Sequence, residues 1–393
     1  MNKQQNLAKK ITSSLFEPLR AFFKDSRSIG MLLICSTIIS LLLANWSVTS
    51  ISYTSFWLKE INTGISFLHL PENNLLFVND VLMTFFFFLV GMEIKRELTI
   101  GELASIKKSM LPVVAALGGM LFPAAIFAII NHGTPFQRGW GIPMATDIAF
   151  SLGILSLLGK KVPIQLKIFL TALAIIDDLG AVITIAVFYS SQIKILYLLA
   201  AASLSIIVVV LNKLKVNKLV FYIIPGILLW YCMFNSGIHA TVAGVILAFC
   251  MPLNLLVKLE HKLFYPVNFL IMPLFAFANT AIILPIEMGF VFTSTISFGI
   301  IAGLVIGKPL GIFLFSFGAT KLKITSLPSN TSWKQLLGVG MLSGIGFTMS
   351  IFTAALSYSL SNDQIISKIA IIAASAISGI LGFGYLYKAK NRL

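Results

Sequence analysis

The chain has 393 residues, 58% of them hydrophobic and only 11% charged, with a mean hydropathy of +0.94. Ordinary soluble domains carry about 25% charged residues, so a water-soluble fold is excluded and lipid is the natural solvent. The net charge of +15 lies in short clusters between apolar runs. That is the pattern of topogenic charge, and it leaves no soluble basic face for a nucleic acid.

The chain opens with about two dozen polar and basic residues, assigned with the rest of 1–28 to the cytoplasmic surface. No small-residue cleavage site follows the first apolar run, so a cleavable signal peptide is not expected. Residues 11–23 mix Leu, Phe and Ile with Glu17 and Arg20, which predicts an amphipathic helix on the cytoplasmic membrane surface. Apolar runs of spanning length then recur near 29–46, 78–94, 110–131, 140–158, 164–189, 194–211, 219–235, 237–254, 266–283, 297–320, 334–358 and 365–387. Twelve transmembrane helices predict an all-α membrane protein with one integral domain over 1–393. Of the 29 Lys and Arg residues, this topology puts 24 on the side of the termini. Lys59, Arg138, Lys194 and Lys368 fall on the other side, and Lys308 falls within a span. The asymmetry predicts cytoplasmic termini.

The longest external loop is 47–77. Its stretch 51–57 is rich in aromatic and β-branched residues, which predicts a β-hairpin. Cys35, Cys232 and Cys250 lie in apolar runs and read as small hydrophobes. His69, His132, His239 and His261 are scattered. Neither a disulfide framework nor a resident metal cluster is expected.

The chain has 14 acidic residues, and three of them fall deep within spans: Asp147, Asp177 and Asp178. Together with Lys308 they cost roughly 2.5–3.5 kcal/mol each, on the order of 10 kcal/mol for the set. A buried ion pair that only fixes helix packing does not need four charges. Neighbours on a helix point about 100° apart, so Asp177 and Asp178 cannot both face one partner. One can face an ion cavity while the other pairs with a lysine. Asp147 comes from another span, with the Thr146 hydroxyl beside it. Carboxylates and hydroxyls are hard oxygen ligands, suited to Na⁺ or Li⁺. Burial and like charges strengthen a carboxylate's hold on a proton, so protons and small cations compete for one site. A site that holds either, and opens alternately to each side, exchanges them.

Two spans are rich in helix-breaking residues: 139–153, containing Pro143, and 338–349, with glycines at 338, 340, 344 and 346. Glycine in a span also serves close helix packing. These two, however, are the middle members of three-span units (spans 3–5 and 10–12) that run in opposite directions. That pattern predicts inverted-topology repeats, with two interrupted helices crossing at mid-membrane around the site. Asp147 is placed to balance the positive half-helix ends and Lys308 the negative ones.

The segments VNDVLMTFFFFLVGMEIKREL (78–98), GIPMATDIAFSLGIL (141–155), KIFLTALAIIDDLGAV (167–182), SGIHATVAGVI (236–246), PLFAFAN (273–279), GIIAGLVIGKPLGI (299–312) and GIGFTMSIF (344–352) span nearly the whole chain. Together they resemble the NhaA sodium/proton antiporters of bacterial inner membranes. The resemblance implies an electrogenic, pH-regulated secondary transporter that extrudes Na⁺ or Li⁺ against protons, without a cofactor or enzymatic activity. It implies Asp178 as the main cation- and proton-carrying carboxylate. Asp177 would be its partner on Na⁺, paired with Lys308 when sodium is absent. Asp147 and Thr146 match the crossing of the interrupted helices. Glu93, Arg96, Glu97, Glu260 and His261 match a pH-sensing region at the cytoplasmic funnel. His239 matches a position that influences pH response, and Asp80 an aspartate near the external end of span 2. A homodimer in the lipid bilayer, joined partly through the 47–77 hairpin, is also implied. The chain departs from many members at Phe264-Tyr265, where a second histidine is usual, and its loop before Glu260 is short. Both departures imply a shifted or blunted alkaline activation.

Two other classes need buried charges. An intramembrane aspartyl protease sets two aspartates on separate helices in YD and GxGD-type motifs, and neither surrounds these residues. A cation channel needs a continuous pore and filter loops, and does not account for a buried lysine. Exchange of K⁺ is the nearest rival, because oxygen ligands alone do not exclude it.

Overall fold

The computed structural model describes residues 26–62, 69–190, 192–359 and 361–389. The helix expected over 11–23 lies outside the described residues. The rest is helical: α1 (Ser26–Asn45), α2 (Ser50–Leu58), α3 (Asn74–Thr99), α4 (Ile106–Ile130), a 3₁₀ segment (Pro135–Met144), α5 (Ile148–Leu157), α6 (Ile164–Phe188), α7 (Ile195–Lys213), α8 (Val220–Ser236), α9 (Val242–Cys250), α10 (Leu253–Asn279), α11 (Met288–Thr293), α12 (Thr295–Lys321), α13 (Trp333–Ser343), α14 (Phe347–Ser357) and α15 (Ser361–Lys388).

Among the described residues, 8 helices are long and apolar enough to cross a membrane, or 10 when two bent pairs each count as one span. The bent pairs are the 3₁₀ segment with α5, at 44°, and α13 with α14, at 46°. The remaining two expected spans correspond to α8, of 17 residues, and α9, of 9. The span expected over 237–254 begins instead as a turn. Gly237 adopts φ +92, which favours glycine, and a continuous helix starts only at Val242.

The stretch 51–57 is helical, not a strand. Tyr53 and Trp57 lie one turn apart on α2. Trp57 is buried, and the Tyr53 hydroxyl bonds Ser40 Oγ at 2.9 Å and the Phe277 carbonyl at 3.1 Å. Packing of this face against α1 and α10 overrides strand propensity. Antiparallel pairing among the described residues of the loop is one isolated bridge, Glu60 to Asn73.

The centre of the bundle is α6, which packs against α3, α4, α5 and α13. Alongside α4 packs α12. Their backbones touch at Gly118 and Gly311, where a Cβ on either residue would run into the other's carbonyl oxygen. Among the described residues, three π-helical turns interrupt long helices: Phe77–Leu82 in α3, Val267–Ile271 in α10 and Ala302–Gly307 in α12. Each adds a residue to its turn and re-aims the helix beyond it. The third ends directly at Lys308.

Candidate ion site at the crossing of two broken helices

The two bent pairs touch at their breaks, in 145–147 and 344–346. Both stretches leave the helical path and expose backbone groups that need partners. Some are met across the crossing. The Asp147 amide donates to the Ile345 carbonyl at 2.7 Å, and Ser350 Oγ donates to the Ile142 carbonyl at 2.8 Å.

Asp147 caps two helices. Its Oδ1 accepts the Phe150 amide at 3.0 Å, closing the N-terminus of α5. Its Oδ2 accepts the Thr348 amide at 3.1 Å and the Thr348 hydroxyl at 2.5 Å, at the N-terminus of α14. The carboxylate thus sits between two positive helix ends.

Lys308 meets the opposite polarity. Its Nζ donates to the Met144 carbonyl, at the C-terminal end of the 3₁₀ segment. The same Nζ lies 2.8 Å from Asp177 Oδ2, with both side chains fully buried. Thr146 Oγ1 lies 2.7 Å from that carboxylate oxygen and 3.0 Å from the Ser343 carbonyl, the last residue of α13. One lysine therefore serves a carboxylate and a helix end together.

Asp178 faces elsewhere. It lines a cavity of about 140 Å³ with Glu93, Thr146, Asp147, Asn268 and Thr348, and apolar side chains from α1, α3, α5, α10 and α14 complete the lining. Asp178 Oδ1 is buried without a hydrogen-bond partner. A buried acceptor of this kind beside a cavity calls for a cation or a proton as its partner. Adjacent aspartates thus divide their work, Asp177 to the lysine and Asp178 to the cavity.

Of the pH-sensing set implied by resemblance, Arg96, Glu97 and Glu260 come together. Arg96 Nε lies 3.0 Å from both Glu260 oxygens, and Arg96 Nη1 lies 2.6 Å from Glu97 Oε1. Glu93, one turn earlier on α3, reaches the cavity itself. His261 is exposed and makes no contact with this cluster. His239 stands apart from it as well, with Nε2 3.1 Å from Asp80 Oδ1 and Nδ1 2.8 Å from Thr241 Oγ1. Residue patterns missed Thr348, although it lies within GIGFTMSIF. The missing signal was geometric, because Thr348 becomes N-terminal only once the helix break at 344–346 is placed.

An all-helical bundle with several membrane-length helices, two broken ones in contact, and paired charges at their crossing defines a multi-pass membrane transporter. The sequence profile of the Na⁺/H⁺ antiporter 1 family matches residues 20–386. The chain belongs to that family, whose members are secondary transporters and not enzymes. It is 51% identical over 378 residues to a Na⁺/H⁺ antiporter NhaA 1 of Flavobacterium johnsoniae, covering 95% of this chain and 97% of the relative. It is 50% identical over 374 residues to NhaA of Cytophaga hutchinsonii, covering 93% and 94%. Against NhaA of Escherichia coli UTI89 the identity is 45% over 377 residues, covering 94% and 97%.

Proposed function

We propose that the chain extrudes Na⁺, and Li⁺ as a congener, in exchange for protons by alternating access at Asp178, with Asp177 as second carboxylate. One observation carries the reading. A fully buried Lys308–Asp177 pair lies beside an unpartnered Asp178 on a cavity. In the ion-free state a proton occupies Asp178, and Lys308 neutralises Asp177. A cation entering the cavity displaces the Asp178 proton and draws Asp177 from the lysine, which releases a second proton. Two protons against one Na⁺ make the exchange electrogenic. Thr146, Asp147 and Thr348 hold the crossing in place.

The Arg96–Glu97–Glu260 cluster, one helical turn from Glu93, supports pH regulation at the cavity mouth. His261 and His239 are assigned secondary parts in that regulation, at the exposed rim and at the Asp80 contact. The reading includes a twelve-span inverted-repeat topology in the bacterial inner membrane, with cytoplasmic termini. The asymmetric distribution of Lys and Arg supports it. It also includes a homodimer to which loop 47–77 contributes, and a part in sodium and pH homeostasis.

Everted vesicles test the reading. Addition of Na⁺ should collapse an imposed ΔpH, and Asp178→Asn should abolish the response. Undiminished exchange in Asp178→Asn would remove Asp178 from the site. Downhill Na⁺ flux without proton movement would make the protein a channel.

A further inference from the structure

The cavity beside Asp178 also takes in Asn268, which the exchange scheme above does not use. Asn268 is buried and lies in the π-helical turn Val267–Ile271, directly after the helix-breaking Pro266. Its Nδ2 donates to the Phe264 carbonyl, one turn back, at 2.9 Å. That bond orients the amide. One of the two Nδ2 hydrogens is committed within its own helix, and Oδ1 is the acceptor of the side chain that no described residue engages.

The two hydroxyls at this cavity are held in place by the hydrogen bonds they donate. The Thr348 hydroxyl is held by Asp147. The Thr146 hydroxyl lies between Asp177 and the Ser343 carbonyl. Asn268 presents an acceptor that the surrounding protein leaves open, on the same cavity as the orphan oxygen of Asp178.

We infer that Asn268 Oδ1 is a neutral ligand of the transported cation, adding to the coordination that Asp178 begins. The inference rests on the exchange reading. Amide oxygens are hard ligands for small cations, as carboxylates are. They differ in one respect that decides the outcome, because an amide oxygen takes no proton at working pH. The carboxylates serve both partners of the exchange, whereas Asn268 serves the cation alone. Its removal weakens Na⁺ binding and leaves proton binding untouched.

The full-length protein reconstituted in liposomes provides the test, with KM for Na⁺ and maximal rate measured across pH. In Asn268→Ala the KM should rise roughly 3- to 10-fold, the scale of one polar contact. The rise should be equal at every pH, with the maximal rate held. Asn268→Asp keeps the shape and an oxygen, so it should restore Na⁺ binding at alkaline pH. It should lose that binding as the pH falls, because its oxygen is now open to protons. An unchanged KM in Asn268→Ala, or a lowered maximal rate alone, overturns the inference, since the second is the mark of a packing role. Should Asn268→Ala not fold, a wild-type pH dependence of KM in Asn268→Asp overturns it equally. Asp178→Asn in the same preparation separates the two claims. Surviving exchange there defeats the site assignment, whereas a flat response at Asn268 defeats only this ligand.

Discussion

Thr348 donates to Asp147 twice, from its amide and from its hydroxyl, and both bonds fall on one carboxylate oxygen. The residues are 201 positions apart and belong to different broken helices. Thr348→Val keeps the shape and the amide bond but loses the hydroxyl. It should cost about 1.5–3 kcal/mol, the range for a hydrogen bond to a charged group. Thr348→Ser should recover most of that. Thermal unfolding in detergent measures both, and equal midpoints for Val and Ser would show that the hydroxyl contributes nothing.

The Lys308–Asp177 pair invites a double-mutant cycle. Breaking a buried pair from one side leaves an uncompensated charge and costs about 3–5 kcal/mol. Lys308→Gln and Asp177→Asn should each destabilise on that scale. The double variant should be clearly less destabilised than the two losses added together, because no lone charge remains. Its exchange should nevertheless be impaired, because a titratable site has been lost. Strict additivity in the unfolding data would mean that the pair is not coupled.

Gly311 is three residues from Lys308 on the same helix. A Cβ there meets the Gly118 carbonyl backbone, which has no flexible end to move aside. Gly311→Ala should therefore push α12 away from α4 and shift Lys308 from Asp177 and Met144. Overpacking of this kind costs about 1–3 kcal/mol or more. Transport should fall sharply while the protein remains in the membrane. Gly318, on the same helix, has open space around its Cβ position, so Gly318→Ala should behave as wild type. A normal rate in Gly311→Ala would argue against close packing as the support of the lysine.

Glu260 meets Arg96 through both carboxylate oxygens. Glu260→Gln removes a negative charge beside Arg96, itself one helical turn from Glu93, so the field at the cavity should become less favourable to protons. The pH for half-maximal exchange should move toward acid, by a margin that shrinks in high salt. Vesicle assays between acid and alkaline pH at two ionic strengths measure it. No movement, or a move toward alkali, would separate this cluster from the proton balance of the site.

Much of the site was legible because lipid makes charge expensive. Asp147, Asp177, Asp178 and Lys308 stood out for that reason alone. The 100° step between helix neighbours anticipated that Asp177 and Asp178 would face different partners. Glycine and proline marked where two helices break. What stayed hidden depended on tertiary neighbours. Residues 51–57 carry strand-favouring side chains, yet α1 and α10 offer Tyr53 and Trp57 a helical packing face. The short α9 reflects the turn at Gly237, which apolar length did not reveal. The π-helical turn that sets Asn268 on the cavity has no pattern in composition. His261 matches a family motif, but it is exposed and makes no hydrogen bond or ion pair with the cluster.

Lys308 Nζ holds the Asp177 carboxylate and the Met144 carbonyl together. One is a side chain that titrates, and the other is the last carbonyl of a rigid segment. Both contacts fall on one ammonium head, so a change at the first alters the field at the second. On the proposed exchange scheme, occupancy of the site would therefore be felt at the main chain as well as at the carboxylate. That single nitrogen would then work as a linkage pin between the carboxylate and the backbone.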